Sequence, residues 1–286
     1  MRRKVVGSME SVSFEVVSPF GELPPGMLWG APSACCVDSR DRVYVLRRTD
    51  PPILVFESDG SFVGSFGSGE LIEGHGMSIT AEDEIWVTDK DGHTAIKFST
   101  GGEKLLRLGS PDSPTFQAPF AHPADVAVHG GSGDIYVSDG YGNSRIHRFS
   151  PDGELVGGWG EPGQGPGQFT VPHAIWIDRR NRVLVADREN MRIQLFTLDG
   201  ELIDIWLDHY KPMDIYVDAL DRIYVTDQVP RLTVMTLDGE VIARGLHRGH
   251  GIWGDSRGNL YSCWPQSAET PVVKLAALTG GSARVS

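Results

Sequence analysis

The stretch FTVPHAIWIDRRNRVLVADRENMR, residues 169–192, reads as loop, strand, tight turn, strand, loop. His173 stands just ahead of the apolar run 174–177, and Arg188 just after the run 183–186. A chain that runs down one strand and back along the next returns to the same edge of its sheet. His173 and Arg188 are therefore predicted to share one face of the molecule.

The same unit recurs along the chain. Its turn appears as DSRDRVYV (38–45), TAEDEIWV (80–87), HGGSGDIYV (129–137), DRRNRVLV (178–185), DALDRIYV (218–225) and DSRGNLYS (255–262). After most copies comes an apolar strand, a hairpin pair such as Asp-Gly or Gly-Gly, and another short strand, as in RFSPDGELVGGW (148–159) and LFTLDGELIDIW (195–206). Each unit is thus four short strands in about 40 residues, the period of propeller blades. The prediction is an all-β fold, a six-bladed β-propeller of four-stranded blades in one domain spanning 1–286. The blades fall at about 31–66, 74–109, 122–160, 171–207, 211–245 and 249–275. The last copy lacks its final hairpin strand, and the strand-like segment 11–17 is expected to complete that blade and close the ring, leaving no open sheet edge. Residues beyond about Ala276 read as a loose tail.

Composition agrees with many short strands and turns: 35 Gly and 18 Pro in 286 residues, with 40% apolar residues to supply a core. The net charge, 26 − 38 = −12, argues against a nucleic-acid footprint and against an anionic membrane surface. No run approaches the roughly 18 apolar residues of a membrane helix. The start MRRKVVGSMESVSF has basic residues but no apolar core of a signal peptide. Cys35, Cys36 and Cys263 make no disulfide framework. The first two lie in a strand-like run and read as small core residues. These features point to the cytoplasm.

Aligning the residue just before the first strand of each blade gives Ser33, His75, Ala124, His173, Met213 and His250. Histidine occupies blades two, four and six only. In a six-fold ring, alternate blades lie about 120° apart, and the first strand of each blade is innermost. Three imidazoles would then converge on the axis, the donor set of a metal site with open positions. A lone histidine at a strand end is ordinarily a satisfied loop residue; three in alternating register are hard to obtain by accident. The other six histidines fall outside this register, with His122 and His247 close enough in sequence to the same loops to support the ligands.

The loops after each second strand should open on the same face. They bring Arg48 and Arg188, guanidinium groups suited to a carboxylate, and Tyr141, a phenol between two glycines. Beside a metal and a guanidinium, a phenol is a candidate base. Arg188 could instead staple neighbouring blades, and Tyr141 could be a packed aromatic. Asp89, Asp139, Asp187 and Asp227 recur at one repeat position whatever the blade, which points to capping of backbone N–H groups.

The segments SDGYGNSRI and FSPDG within 138–153, GQFTVPHAIWI (167–177) and ADRENMRIQLF (186–196) closely resemble the NHL-repeat propeller of the peptidyl-α-hydroxyglycine α-amidating lyases, with the likeness extending over roughly 43–255. The resemblance implies an axial zinc held by His75, His173 and His250, a catalytic tyrosine at Tyr141 and active-site arginines at Arg48 and Arg188. It also implies cleavage of a carbinolamide, N–CH(OH)–COOH, into an amide and glyoxylate. The chain departs from the pattern in three places. Gly142 stands where the family has a cysteine. Gly251 stands where an acid helps hold a structural calcium, which makes Ca2+ doubtful here. Arg248 stands two residues before the third ligand, where an apolar residue is expected, and suggests a different substrate pocket.

The function expected is a zinc-dependent lyase, or one using another divalent transition metal. It would act on a small, carboxylate-bearing carbinolamide, without nucleic-acid or membrane partners. The alternatives are a hydrolase that activates water on the metal, and a non-catalytic propeller serving as an interaction platform.

Overall fold

The computed structural model describes residues 5–9 and 12–278. It is an all-β, six-bladed propeller, and no helix occurs among the described residues. Five sheets are four-stranded antiparallel meanders over 32–66, 74–109, 125–159, 172–206 and 212–245. The sixth is a composite. Its inner strands Gly251–Gly254, Leu260–Cys263 and Val272–Ala277 are completed by Val12–Val17. A fifth strand, Val5–Met9, which the sequence pattern did not suggest, lies outermost. Val17 pairs with Lys274 and Phe14 with Ala277, so the two ends of the chain close the ring. The last strand runs through Ala277, one residue into the expected tail; residues 279–286 lie outside the described residues.

Local chemistry explains the repeat. Asp178 sits at the first hairpin turn of its blade, and its Oδ1 accepts the N–H groups of Arg180 and Arg182 at 2.9 and 3.0 Å. Asp38 in blade one and Asp218 in blade five do the same, and also accept the hydroxyls of Tyr44 and Tyr224. A short acceptor side chain that satisfies the turn's own amides favours the turn over competing backbone pairings.

The apolar core is divided into six clusters, each lying between two neighbouring blades. Ala34, Tyr44 and Ile53 of blade one pack on Met77, Val87 and Phe98 of blade two, and Phe20, Cys35 and Phe56 meet Tyr261 and Cys263 across the closing seam. All three cysteines are free and buried, as core residues. Packing of this kind leaves the axis to the innermost strands.

Candidate metal centre and its mouth

The residue aligned before each inner strand proves to lie within the strand or at its edge. His75 belongs to Gly74–Ile79 and His173 to Pro172–Ile177, whereas His250 immediately precedes Gly251–Gly254. The loop placement expected for His75 and His173 is corrected accordingly. The reason is a β-bulge. Ladder pairing shifts between Pro172 and Ala174, between Gly74 and Met77, between Pro32 and Ala34 and between Pro212 and Asp214. A bulged residue is left out of the ladder and its side chain is re-aimed. Here the re-aiming turns the imidazoles of His75 and His173 inward, while His250, just ahead of a strand whose ladder runs without a shift, reaches the axis from the preceding loop.

The three rings form a nearly equilateral triangle. Centroid separations are 4.8 Å for His75–His173, 4.8 Å for His75–His250 and 4.9 Å for His173–His250. One ring nitrogen from each lies within 4.8 Å of the others, and all three residues are buried. Each Nδ1 donates to the backbone carbonyl of the aligned residue in the next blade. His75 reaches Ala124 at 2.8 Å, His173 reaches Met213 at 2.7 Å and His250 reaches Ser33 at 2.8 Å. A carbonyl can only accept, so the proton sits on Nδ1 and the Nε2 lone pair is free. The non-histidine blades therefore orient the histidine blades. His173 Nε2 is buried with no partner at all.

Burial, reinforced by the neighbouring imidazoles, holds His75 and His173 well below the ordinary histidine range. Burial, then the Arg48 charge, brings His250 down to about 3. Three neutral imidazoles, each oriented by a backbone carbonyl of the next blade, with a bare nitrogen among them, are a donor set suited to a divalent transition metal. Thus the three histidines could hold a metal ion.

Tyr141, Arg48 and Arg188 gather at the outer side of the triad. The Tyr141 hydroxyl donates to His75 Nε2 at 2.9 Å and accepts from Arg188 Nη1 at 3.0 Å. Its ring packs edge-on against His75 and His173, with Arg188 and Lys90 over it at 5.2 and 5.6 Å. At 36% exposure the phenol is reachable from solvent. Arg188 bonds Glu189 of its own blade, and Arg48 pairs with Glu73 at 3.0 Å. The expectation that Arg188 might staple blades is met instead by Lys211, which reaches Glu189 at 2.7 Å from the next blade. Burial raises Glu189, but hydrogen bonds and charge from Lys211 and Arg188 prevail and keep it below the usual range.

Four residues of this region carried no signal in the reading of the sequence. Glu73 bridges Arg48 and Lys90, so that Arg–Glu–Lys trios flank the phenol on both sides. The repeat alignment that exposed the histidines holds Lys90 too, at the position of Arg48 and Arg188. Beneath the triad, Asp125 is buried and Asp214 half-buried near the axis, and each accepts a backbone N–H of the following blade, from Ile175 at 3.0 Å and Ile252 at 2.7 Å. Burial, then the Asp214 charge, pushes Asp125 well above the carboxylate range, and burial brings Asp214 up to about 7. Three of the four recurrent aspartates cap as expected: Asp89 accepts from Ile72 and Glu73, Asp139 from Ala121 and His122, and Asp187 from Thr170, whereas Asp227 binds the Arg231 side chain and its Oδ1 is buried without a hydrogen-bond partner. A Cβ at Gly251 would lie 2.7 Å from Ala34 Cα, so the inner strand of blade one occupies the room a side chain would need.

Comparison with known proteins agrees with this picture. Residues 120–149 match the NHL repeat family. Over 158 residues the chain is 39% identical to the mouse peptidyl-glycine alpha-amidating monooxygenase, covering 52% of this chain and 16% of that protein. Over 198 residues it is 37% identical to the human NHL repeat-containing protein 3, covering 64% of this chain and 56% of the relative. A Caenorhabditis elegans protein named as a probable peptidyl-alpha-hydroxyglycine alpha-amidating lyase is 38% identical over 151 residues, 51% of this chain and 43% of its own. The chain thus spans a sixth to just over half the length of these curated relatives. A streptogramin B lyase shares the fold, with a TM-score of 0.67 at 15% identity over 88% of this chain and 95% of its own. The chain is a six-bladed propeller with a match to the NHL repeat at 120–149, and it is similar to proteins named as peptidyl-alpha-hydroxyglycine alpha-amidating lyases and as NHL repeat-containing protein 3.

Proposed function

We propose that this NHL-repeat propeller is a metal-dependent lyase that cleaves the C–N bond of a small, carboxylate-bearing carbinolamide. The observation that carries the reading is one arrangement: three neutral imidazoles converge on the axis, His173 with an unpartnered Nε2 and His75 with its Nε2 held by the Tyr141 hydroxyl, which Arg188 bonds in turn. His75, His173 and His250 would hold the ion, for which zinc is our choice among the divalent transition metals; no structural calcium is proposed. When bound, such an ion supplies Lewis acidity toward an oxygen of the substrate.

The remaining chemistry belongs to the chain. Tyr141, as phenolate, takes the proton of the substrate hydroxyl. The O–H electron pair becomes the second bond of the new carbonyl, and the C–N pair leaves on nitrogen. The proton held by Tyr141 then passes to that nitrogen, so the products are an amide and glyoxylate and no water is consumed. Arg188 stabilises negative charge on the phenol oxygen from 3.0 Å. Arg48, buried at Nε without a partner there and paired at Nη1 with Glu73, has donors for the substrate carboxylate. Four cations around the site, Arg48, Lys90, Arg188 and Lys211, create a locally positive mouth on an acidic protein, which favours an anionic substrate.

The test is metal analysis of protein purified without a tag or chelator, followed by glyoxylate release from α-hydroxyhippurate. Stoichiometric metal, lost in His173→Ala, and release that falls about 10²–10⁴-fold in Tyr141→Phe are the expected results. Activity retained by Tyr141→Phe would favour the hydrolase, since activated water needs no phenolate. A metal-free protein with no turnover would leave the interaction platform.

A further inference from the structure

The mouth has its own six-fold register, offset from that of the histidines. The residue that follows the second strand of each blade is Arg48 in blade one, Lys90 in two, Gly140 in three, Arg188 in four, Gln228 in five and Trp264 in six. Residues two positions ahead of the aligned axial residues lie against this ring. Glu73 binds Arg48 and Lys90, and Lys211 binds the neighbour of Arg188. Backbone bonds link the two sets: Lys90 N–H to the Glu73 carbonyl at 2.9 Å, Arg188 to Val171 at 3.1 Å and Gln228 to Lys211 at 3.0 Å.

Blade six breaks the pattern. The N–H of Trp264 turns to the Pro271 carbonyl at 2.8 Å, and the guanidinium of Arg248, two residues ahead of His250, lies over the indole at 5.1 Å from the ring centroid. A cation thereby stands at the blade-six position of the ring although the ring residue itself is an indole. It differs from the other mouth cations in one respect. Arg48 and Lys90 share Glu73, and Arg188 and Lys211 share Glu189, whereas among the described residues Arg248 has no carboxylate partner. It is exposed, and the stacking restrains a side chain that would otherwise sample many rotamers. Blade six faces blade three across the ring, so Arg248 belongs to the blade opposite the one that carries Tyr141.

We propose that Arg248, held on Trp264, is a distal anion subsite that selects substrates whose acyl group ends in a second carboxylate, pointing away from the scissile bond. Its role across the ring from the blade of the phenol follows from the reading of the reaction above; its ability to bind a carboxylate does not.

The experiment uses the full chain and two unreactive probes, N-acetylglycine and N-glutarylglycine, which lack the hydroxyl and cannot be cleaved. Titration calorimetry should show the glutaryl probe binding about fivefold tighter, a preference that shrinks toward one at high salt and in Arg248→Ala. Arg248→Lys should keep part of it, and Trp264→Leu should weaken it by freeing the guanidinium. Kinetics with the corresponding α-hydroxyglycines should place the Arg248→Ala loss in KM rather than kcat. Equal affinity of the wild-type protein for both probes, or a preference that survives Arg248→Ala, overturns the subsite. A preference present in a protein that releases no glyoxylate upholds the subsite and defeats the lyase reading, so the two failures are distinguishable.

Discussion

Three carbonyls decide what the three histidines can do. Ala124, Met213 and Ser33 each take the Nδ1 proton of an imidazole from the preceding blade, and this leaves Nε2 as the only free nitrogen. The same burial that keeps the rings neutral makes the apo protein sensitive to acid. For His250, at about 3, and His247, which burial brings to about 4, the folded state binds protons less readily than the unfolded chain, whose histidines titrate near 6.5. The unfolded state therefore carries more protons below that value, so stability falls as pH drops from about 6.5 toward the folded values. Asp125 and Asp214, held above the carboxylate range, act in the opposite sense, so the test is a difference. Between pH 7 and 4, urea titrations of metal-free protein should show stability depending less favourably on acid in the wild type than in His250→Ala, and identical pH profiles would contradict the neutral triad. At this scale the alternation of histidine was legible in the repeat register, because chain periodicity and ring symmetry are the same fact. Glu73 and the Asp125–Asp214 pair were not, because a single carboxylate in a loop or an apolar run carries no mark of the partner that the neighbouring blade supplies.

At the scale of the strand, a bulge sets the aim of His75 and of His173, and Gly76 lets the strand of His75 lie close to its orienting carbonyl. A Cβ at Gly76 would lie 2.4 Å from the Ala124 carbonyl, the oxygen that holds both His75 Nδ1 and Thr88 Oγ1. Gly76→Ala must displace that backbone or its own strand. The expected cost is about 1–3 kcal/mol of stability, with a loss of metal affinity of about 10–100-fold because the orienting bond to His75 is disturbed. Denaturant unfolding and competitive metal titration of the variant would check both, and an unchanged metal affinity would show that the carbonyl does not matter. The strands themselves were readable from alternation and hairpin pairs. The bulges were not: they arise where an inner strand must turn its first residue toward a crowded axis, and no local residue pattern announces that.

Across the whole molecule, stability depends on closing the ring between ends of the chain that are remote in sequence. Val12 and Phe14, both buried, pack with Leu275, Tyr224 and Leu232 at the seam between blades five and six. Removing residues 1–17 would uncover the edge of Val272–Ala277 and withdraw these two side chains. The expected loss is about 3–6 kcal/mol, from about 1.5–3 kcal/mol for each buried side chain. Thermal unfolding should show a lower midpoint, and light scattering should show association through the open edge. A truncated chain with an unchanged midpoint would mean that the ring is held by its inner strands alone. What the amino-acid sequence determined by itself was the architecture: hairpin chemistry and a repeated apolar alternation are local, and six copies can bury their faces only against one another. It also marked His75, His173 and His250, since their register survives without coordinates. Tertiary structure alone decided which ring nitrogen faces the axis, which carboxylates tie down the mouth cations and which cation is left over. Each of those depends on contacts between neighbouring blades, where residues some forty to two hundred positions apart come within hydrogen-bond reach.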